Sequence, residues 1–228
     1  MNTPMTKTIL ALSFVLGAAQ FTLAQDKPID KFSTGNQQPA LVKAGSQERI
    51  QSGDMLGGWR DTVMSLCDTT KKGDCALRNP YNQTSSFGFL PARGGQPPAM
   101  VQTGGYFAVP RIDMLYGLQS TMHENFSGYQ KIRVNFSGLT QELNFNIQPH
   151  TGGPYAQGGC NIAPYGGAFS VELPLNKFVV TDGFSFADVT WMDVIFQDGS
   201  VLGGVSFGIT SIELTNTTAQ GVVIDCHY

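Results

Sequence analysis

Between positions 169 and 214 bulky apolar residues mostly recur at every second position. The segments FSVELPLNKFVV, FSFADVTWMDVIF and VLGGVSFGITSIEL are interrupted at Pro174, Asp182-Gly183 and Asp198-Gly199. A period of two bounded by turn residues predicts a series of short strands. Phe169, Val171 and Leu173 are expected to face a core, with Ser170 and Glu172 facing water. Residues 189–196 are apolar on both registers except for Asp193, which predicts a more deeply placed strand. Alternation also runs through 131–136 and 142–147, with Gly138 between them, and the connection is too short for a helical crossover. These two segments are therefore expected to be antiparallel neighbours in a hairpin. With this much bulk on strands and none on a long amphipathic helix, the core has to be closed by one sheet packing on another. The prediction is an all-β, antiparallel two-sheet β-sandwich.

The remaining pattern is less regular. Residues 25–48 are polar and read as a lead-in containing one short edge strand around Ile29 and Phe32. Residues 78–103 are rich in proline and glycine and read as a long connection holding one strand at 86–90. The stretch IDMLYGL at 112–118 fits either a strand or a helical turn, and 150–167 reads as a glycine-rich loop carrying Tyr155, Cys160 and Tyr165. A last strand is expected at 222–224. Residues 49–228 are expected to form a single sandwich domain, with no internal repeat and no heptad pattern.

The first 24 residues change the picture of length and compartment. Lys7, the apolar run 9–19 and Leu23-Ala24 before Gln25 have the layout of a cleaved export signal. The run is short for a membrane span, which takes about 20 apolar residues. Of 14 basic residues, 13 then remain against 17 acidic ones. That balance supplies no basic field for nucleic acid and none for an anionic membrane surface. Cys67, Cys75, Cys160 and Cys226 all lie in the exported part, so two disulfides are expected in an oxidising compartment, secreted or periplasmic. The polar turn DTTKKGD makes Cys67–Cys75 the local pair, and Cys160 with Cys226 would tie the glycine-rich loop to the last strand.

The order I-D-x-F at 29–32, M-L-G-G-W-R-D at 55–61 and G-I-T-S-I-E-L at 208–214 resembles the galactose-binding-like jelly roll. It is most similar to the domain of the mitochondrial complex I intermediate-associated protein, a type also found in secreted bacterial proteins. Asp30, Phe32, Leu56, Gly57, Gly58, Arg60, Ile209 and Ile212 carry the resemblance. It implies a jelly roll, a carbohydrate partner in many relatives and a structural calcium in some. The two cysteine pairs and the glycine-rich loop depart from that pattern, and fold does not by itself imply function.

No residue pattern announces a catalytic constellation. His123, His150 and His227 are scattered without a metal-binding motif, there is no G-x-S-x-G elbow and no EF-hand loop, so no cofactor is expected. Asp30 and Asp225 would approach each other for calcium only if the first and last strands paired. Asp182 and Asp198 precede glycine at turns, and Asp188 lies near the last strands. Asp193, flanked by Met192 and Val194, is the acid that stands out. Aromatic residues beside glycines offer the other route. Trp59, Arg60, Tyr155 and Tyr165 are the expected ligand-binding residues, whereas Trp191 reads as core and Tyr106 as a further aromatic beside a double glycine. The expected function is a non-catalytic binding or structural module recognising an extracellular glycan or peptide. The alternative is an enzyme acting on an extracellular polysaccharide through two carboxylates. Asn82, Asn125, Asn135 and Asn216 lie in N-x-S/T triplets, which mark exposed acceptor sites where the machinery exists.

Overall fold

The computed structural model describes residues 25–34, 40–67, 69–105, 108–198 and 204–224. The strands in chain order are β1 (Lys27–Asp30), β2 (Ala40–Val42), β3 (Gly45–Ser52), β4 (Trp59–Cys67) and β5 (Ser85–Leu90). They continue as β6 (Ala99–Thr103), β7 (Arg111–Tyr116), β8 (Lys131–Leu139), β9 (Leu143–His150) and β10 (Ala156–Ile162). The last five are β11 (Phe169–Pro174), β12 (Val179–Val180), β13 (Trp191–Asp198), β14 (Ser206–Thr215) and β15 (Val223–Ile224). The α-helix α1 (Asp74–Arg78) is a single turn.

Two sheets face each other. One has the order β15-β11-β8-β14-β6-β5-β2, with β1 lying against β14 beyond the end of β6; the other has the order β12-β10-β9-β13-β7-β4-β3. All pairings are antiparallel except the two-residue contact of β15 with β11. This is the antiparallel β-sandwich that the alternation predicts. Inward positions interdigitate between the layers: Phe136 stacks on Phe169 at 4.7 Å within the first sheet. Across the gap Phe196 meets Phe207 at 5.3 Å, and Phe145 stacks on Phe196 at 5.7 Å within the second sheet. Each such ring, taken out of water, contributes about 1.5–3 kcal/mol.

Several expectations are corrected. The segments 131–136 and 142–147 do not form a hairpin. Strand β8 pairs with β11 and β14, whereas β9 pairs with β10 and β13 in the opposite sheet. The short link between them is an arch over the edge of the sandwich. Alternation specifies which side of a strand is buried, and an arch and a hairpin both satisfy it. The lead-in 25–48 holds the expected short strand as β1, with Ile29 and Asp30 buried, and beyond expectation it also holds β2 and the start of β3. The connection 78–103 holds β6 as well as β5, and 112–118 resolves as strand β7.

The glycine-rich loop is in fact built around strand β10. A Cβ at Gly158 would lie 2.5 Å from the Phe178 ring, and one at Gly159 would lie 2.4 Å from the Phe145 carbonyl oxygen. Glycine is there for close approach rather than for a bend. Cys160 consequently sits on a core strand, buried among apolar residues. It is a disulfide half-cystine; its expected partner, Cys226, lies outside the described residues, as do Tyr106, Asp225, His227 and the leader. Cys67 and Cys75 are bonded to each other as predicted.

A buried polar cluster ties the first strands into the core. Arg60 has no exposed surface, pairs with Asp30, and also donates to Gln51 and to the Thr34 carbonyl. Its guanidinium lies 3.9 Å from the Phe89 ring centre and 5.3 Å from that of Phe32. Tyr116 donates to Asp30 at 3.0 Å. The residues that carry the jelly-roll resemblance, Asp30, Phe32 and Arg60, are therefore structural. Asp30 is committed to Arg60.

Candidate functional site

The outer face of the second sheet carries the chemistry. Its strands are held in a register that can be followed from one edge to the other. Arg60 pairs with Tyr116, Tyr116 with Met192 and Met192 with Pro149, and all four point into the core. Side chains alternate along a strand, so the next position on each strand points outward. That outward row consists of Trp59 on β4, Gly117 beyond β7, Trp191 on β13, His150 on β9 and Tyr155, which bridges His150. The Trp59 side is 40% exposed. His150 stacks on Trp191 with ring centres 3.4 Å apart and a 13° tilt, and Tyr155 lies 5.4 Å from His150. The indole N–H of Trp191 donates to the Gly152 carbonyl at 3.1 Å. With a glycine at 117, no side chain from the β7 line stands between the two tryptophans. A Cβ there would come within 2.8 Å of the Thr190 carbonyl oxygen, so the gap is enforced.

The next outward rows are polar. Two residues further along β4, β13 and β9 from the aromatic row come Asp61, Asp193 and Gln148, with Leu115 between the two acids. Beyond them lie Asp113 and Asn146 with Ile195 between them, and then Arg111, whose Nε donates to both Asp113 oxygens at 2.9 Å. Four residues on this face hold buried polar atoms with no hydrogen-bond partner: Asp61 Oδ1, Asn146 Oδ1, Asp193 Oδ1 and both ring nitrogens of His150. Asp61 is only 5% exposed and His150 only 8%. Buried polar groups in folded proteins are nearly always paired, so these atoms are donors and acceptors open to a partner on this face; others of the kind, on Arg60, Thr62 and Gln102, lie inside the sandwich.

Burial, reinforced by Asp113 and opposed by Arg111, pushes the Asp193 carboxyl up to about 7. Burial, reinforced by the neighbouring Glu48, pushes Asp61 up to about 6. Burial lowers His150, keeping the imidazole neutral; the backbone of Gly153 acts in the opposite direction without closing a hydrogen bond of ordinary geometry. Between the carboxyl's ordinary value near 4 and about 7 the folded protein binds the Asp193 proton and the unfolded chain does not, so stability falls as pH rises through that window. Asp193→Asn is expected to flatten this slope and to gain roughly 2 kcal/mol over the parent at pH 8 and almost nothing at pH 4, after discounting for partial solvation. Denaturant titrations at the two pH values check this; an equal effect at both would mean Asp193 titrates normally.

Of the four expected ligand-binding residues, the sheet register brings Trp59 and Tyr155 into one row. Tyr165 is not with them. It follows the far end of β10, bridges Leu139 and packs edge-on against Phe169 at 5.7 Å. Because a strand rather than a loop separates Tyr155 from Tyr165, they sit at opposite ends of the sandwich. Arg60 is corrected from ligand contact to core residue, since its charge is enclosed and committed. Trp191 is corrected in the other direction: its neighbours Met192 and Val194 are the core residues and its ring stands on the outer face. His123 pairs with Asp188 at 2.8 Å on the surface. Asn135 is half-buried, donating to Ser211 at 2.7 Å and accepting from Ser170 at 2.6 Å, which removes it as an exposed acceptor.

No protein-family model matches the sequence, and no curated protein matches it. Solved structures to which the chain is similar include the family 11 carbohydrate-binding module of the cellulase Lic26A-Cel5E of Clostridium thermocellum. It is 14% identical, with 86% of this chain and 97% of that one covered and a TM-score of 0.42. The family 30 carbohydrate-binding module of Cel9D-Cel44B from the same organism is 12% identical over 86% of this chain and 100% of that one, with a TM-score of 0.43. A carbohydrate-binding module of family 28, specific for non-crystalline cellulose, is 16% identical over 57% of this chain and 82% of that one, at 0.40. None of them assigns an activity to this chain.

Other surfaces hold less chemistry. A hollow of about 720 Å3 opens between Tyr129, Lys131, Glu172, Leu175 and Phe186, but its charges are already paired, Lys131 with Glu172 at 2.6 Å. Among the described residues no group of three or more His, Cys, Asp or Glu is placed to hold a metal ion, and no helix is long and apolar enough to cross a membrane.

Proposed function

We infer that the protein is an exported, non-catalytic glycan-binding module whose binding surface is the outer face of the second sheet. The observation that carries this reading is the set of buried, unpartnered polar atoms on Asp61, Asn146, Asp193 and His150 beside a row of aromatic rings. A pyranose ring has an apolar face and a rim of hydroxyls. Trp59, Trp191 and Tyr155 offer stacking surfaces for the first, and the carboxyls, amides and imidazole offer donors and acceptors for the second. From Trp59 to Tyr155 the row spans four strand spacings, about 19 Å. A short oligosaccharide laid across the strands has that length. The leader and the cysteine pairing support export, and the resemblance to the complex I intermediate-associated type of domain adds a jelly-roll scaffold without a partner.

The test is titration of the protein with a panel of soluble polysaccharides and extended peptides, followed by intrinsic tryptophan fluorescence. Saturable binding to a glycan, weakened about tenfold in Trp59→Ala, is expected for a partly exposed aromatic at the end of the row. Saturation by peptides alone, or identical binding by the variant, overturns the assignment of this face to glycans.

One feature supports a second reading. Asp61 and Asp193 both have raised carboxyls and stand two strand spacings apart, about 10 Å at the backbone. Inverting glycosidases place their acid and base about 6.5–9.5 Å apart. Release of reducing ends by the parent and not by Asp193→Asn would replace binding with hydrolysis.

A further inference from the structure

The outer face is not a neutral sugar platform. Four carboxyl groups point out of it, Glu48 on β3, Asp61 on β4, Asp113 on β7 and Asp193 on β13, against one guanidinium, Arg111, which is committed to Asp113 in a two-oxygen contact. His150 on β9 is held neutral by burial, and β10 contributes only uncharged side chains to this face, among them Gln157 and Asn161. The acids are crowded as well as numerous. Glu48 sits diagonally across the β3–β4 pair from Asp61, and Asp113 sits diagonally across the β7–β13 pair from Asp193. Two of these carboxyls, on Asp61 and Asp193, each retain a buried oxygen with no partner, and the aromatic row lies one step away.

From this placement we propose that the face selects a glycan bearing free amino groups, its sugar rings stacked along the Trp59–Trp191–Tyr155 row and its ammonium groups seated against Asp61 and Asp193. The proposal rests on the glycan reading of the face and narrows it. A neutral glycan would satisfy the orphaned oxygens only as hydroxyl acceptors and would leave the crowded negative charge in place. An ammonium satisfies the same oxygens with a charge-assisted bond and relieves the repulsion that holds their protons on. A uronate or sulfated chain would add like charge to a partly desolvated acidic surface and is rejected on the same grounds. Trp191 and Trp59 add a cation–π contribution for an amino group held over an indole face.

The experiment titrates the protein by calorimetry with three oligosaccharides of equal length: β-linked glucosamine, its fully N-acetylated form and a β-glucan, with an oligo-uronate as a fourth arm. The glucosamine oligomer is expected to bind about tenfold or more tighter than either neutral chain, with its advantage shrinking as salt is added. The oligo-uronate is expected not to bind. Asp193→Asn and Asp61→Asn each should remove most of the preference, bringing the glucosamine oligomer to within about twofold of the neutral chains measured on the same variant. Both replacements keep the shape of the side chain, and a melting curve establishes that each variant is folded. Neutral chains binding as tightly as the amino chain, or a preference that survives both substitutions, overturns the amine assignment while leaving a glycan site intact. No binding by any of the four overturns the glycan reading and the amine assignment with it.

Discussion

Asp30→Ala is expected to cost about 3–5 kcal/mol of folding stability, because it strands a buried guanidinium. Arg60 is wholly enclosed, its ring-face contacts with Phe89 and Phe32 leave it no route to water, and Asp30 is its ionic partner. The same carboxylate also accepts the Phe32 backbone N–H at 2.7 Å, which holds the tight turn that places the Phe32 ring beside Arg60. Deleting the side chain therefore removes a charge partner and a turn at once. For a domain of this size such a loss lowers the melting temperature by about 10 °C or more. The pair itself need not be a net source of stability, since both charges had to leave water. A combined Asp30→Leu, Arg60→Met variant should recover a large part of the loss, whereas either single change should not. Denaturant unfolding of the three variants decides the matter. A single-variant loss below about 1 kcal/mol would mean that water or another group reaches the guanidinium.

The pair also bears on the candidate site, although it does not touch it. Arg60 and Trp59 are neighbours on β4 and point to opposite faces of the sheet, so the network that fixes Arg60 in the core sets the register that presents Trp59 outside. Sequence alone could not separate these roles. Arg60 beside Trp59 and two glycines looks like a ligand contact, and only the position of Asp30, thirty residues upstream in the chain, shows that its charge is spent inside.

What alternation can and cannot specify follows from particular strands. In β11 the pattern Phe169, Val171, Leu173 directly gives the core side, and the structure keeps it, but Ser170, expected to face water, is buried as well and donates to Asn135. In β13 both faces are apolar, and the reason is now visible: Met192, Val194 and Phe196 enter the core while Trp191 and Ile195 belong to a half-covered outer face. In β8 and β9 the faces are legible and the sheet assignment is not, because an arch and a hairpin have the same period. Strand β10 was hidden because its glycines, demanded by the Phe178 ring and the β9 backbone, are the residues that ordinarily signal a loop. The Cys67–Cys75 bridge was legible because it closes a short polar turn. The site was the least legible part. Asp61, His150 and Asn146 have no sequence motif in common and are brought together only by register across β4, β7, β13 and β9. Of the polar members only Asp193 stands out in the sequence, by its apolar neighbours, whereas Trp59 and Tyr155 are legible as aromatics near glycines.

Trp191→Ala is expected to weaken glycan binding about 100-fold, the loss typical of a central aromatic anchor. Trp191 occupies the middle of the row, with His150 stacked on one face of its indole and its N–H anchored to Gly152. Its orientation is thus fixed before any ligand arrives, so little ordering is required on binding and most of the stacking energy is expressed as affinity. Trp59, more exposed and at the end of the row, lacks such a support and has the smaller expected effect. Removing the indole also uncovers His150, whose unpartnered nitrogens are then solvated by water that a ligand must displace again. Trp191→Phe restores a flat apolar surface without the N–H anchor and is expected to recover part of the affinity. The measurement is calorimetric titration of parent and variants with the best glycan ligand, with circular dichroism to establish that the sheets persist. Loss of binding in Trp191→Ala with partial return in Trp191→Phe places the ligand on the indole face. A change smaller than about threefold in a folded Trp191→Ala protein would move the site off this row, because no other residue on it is both central and oriented in advance.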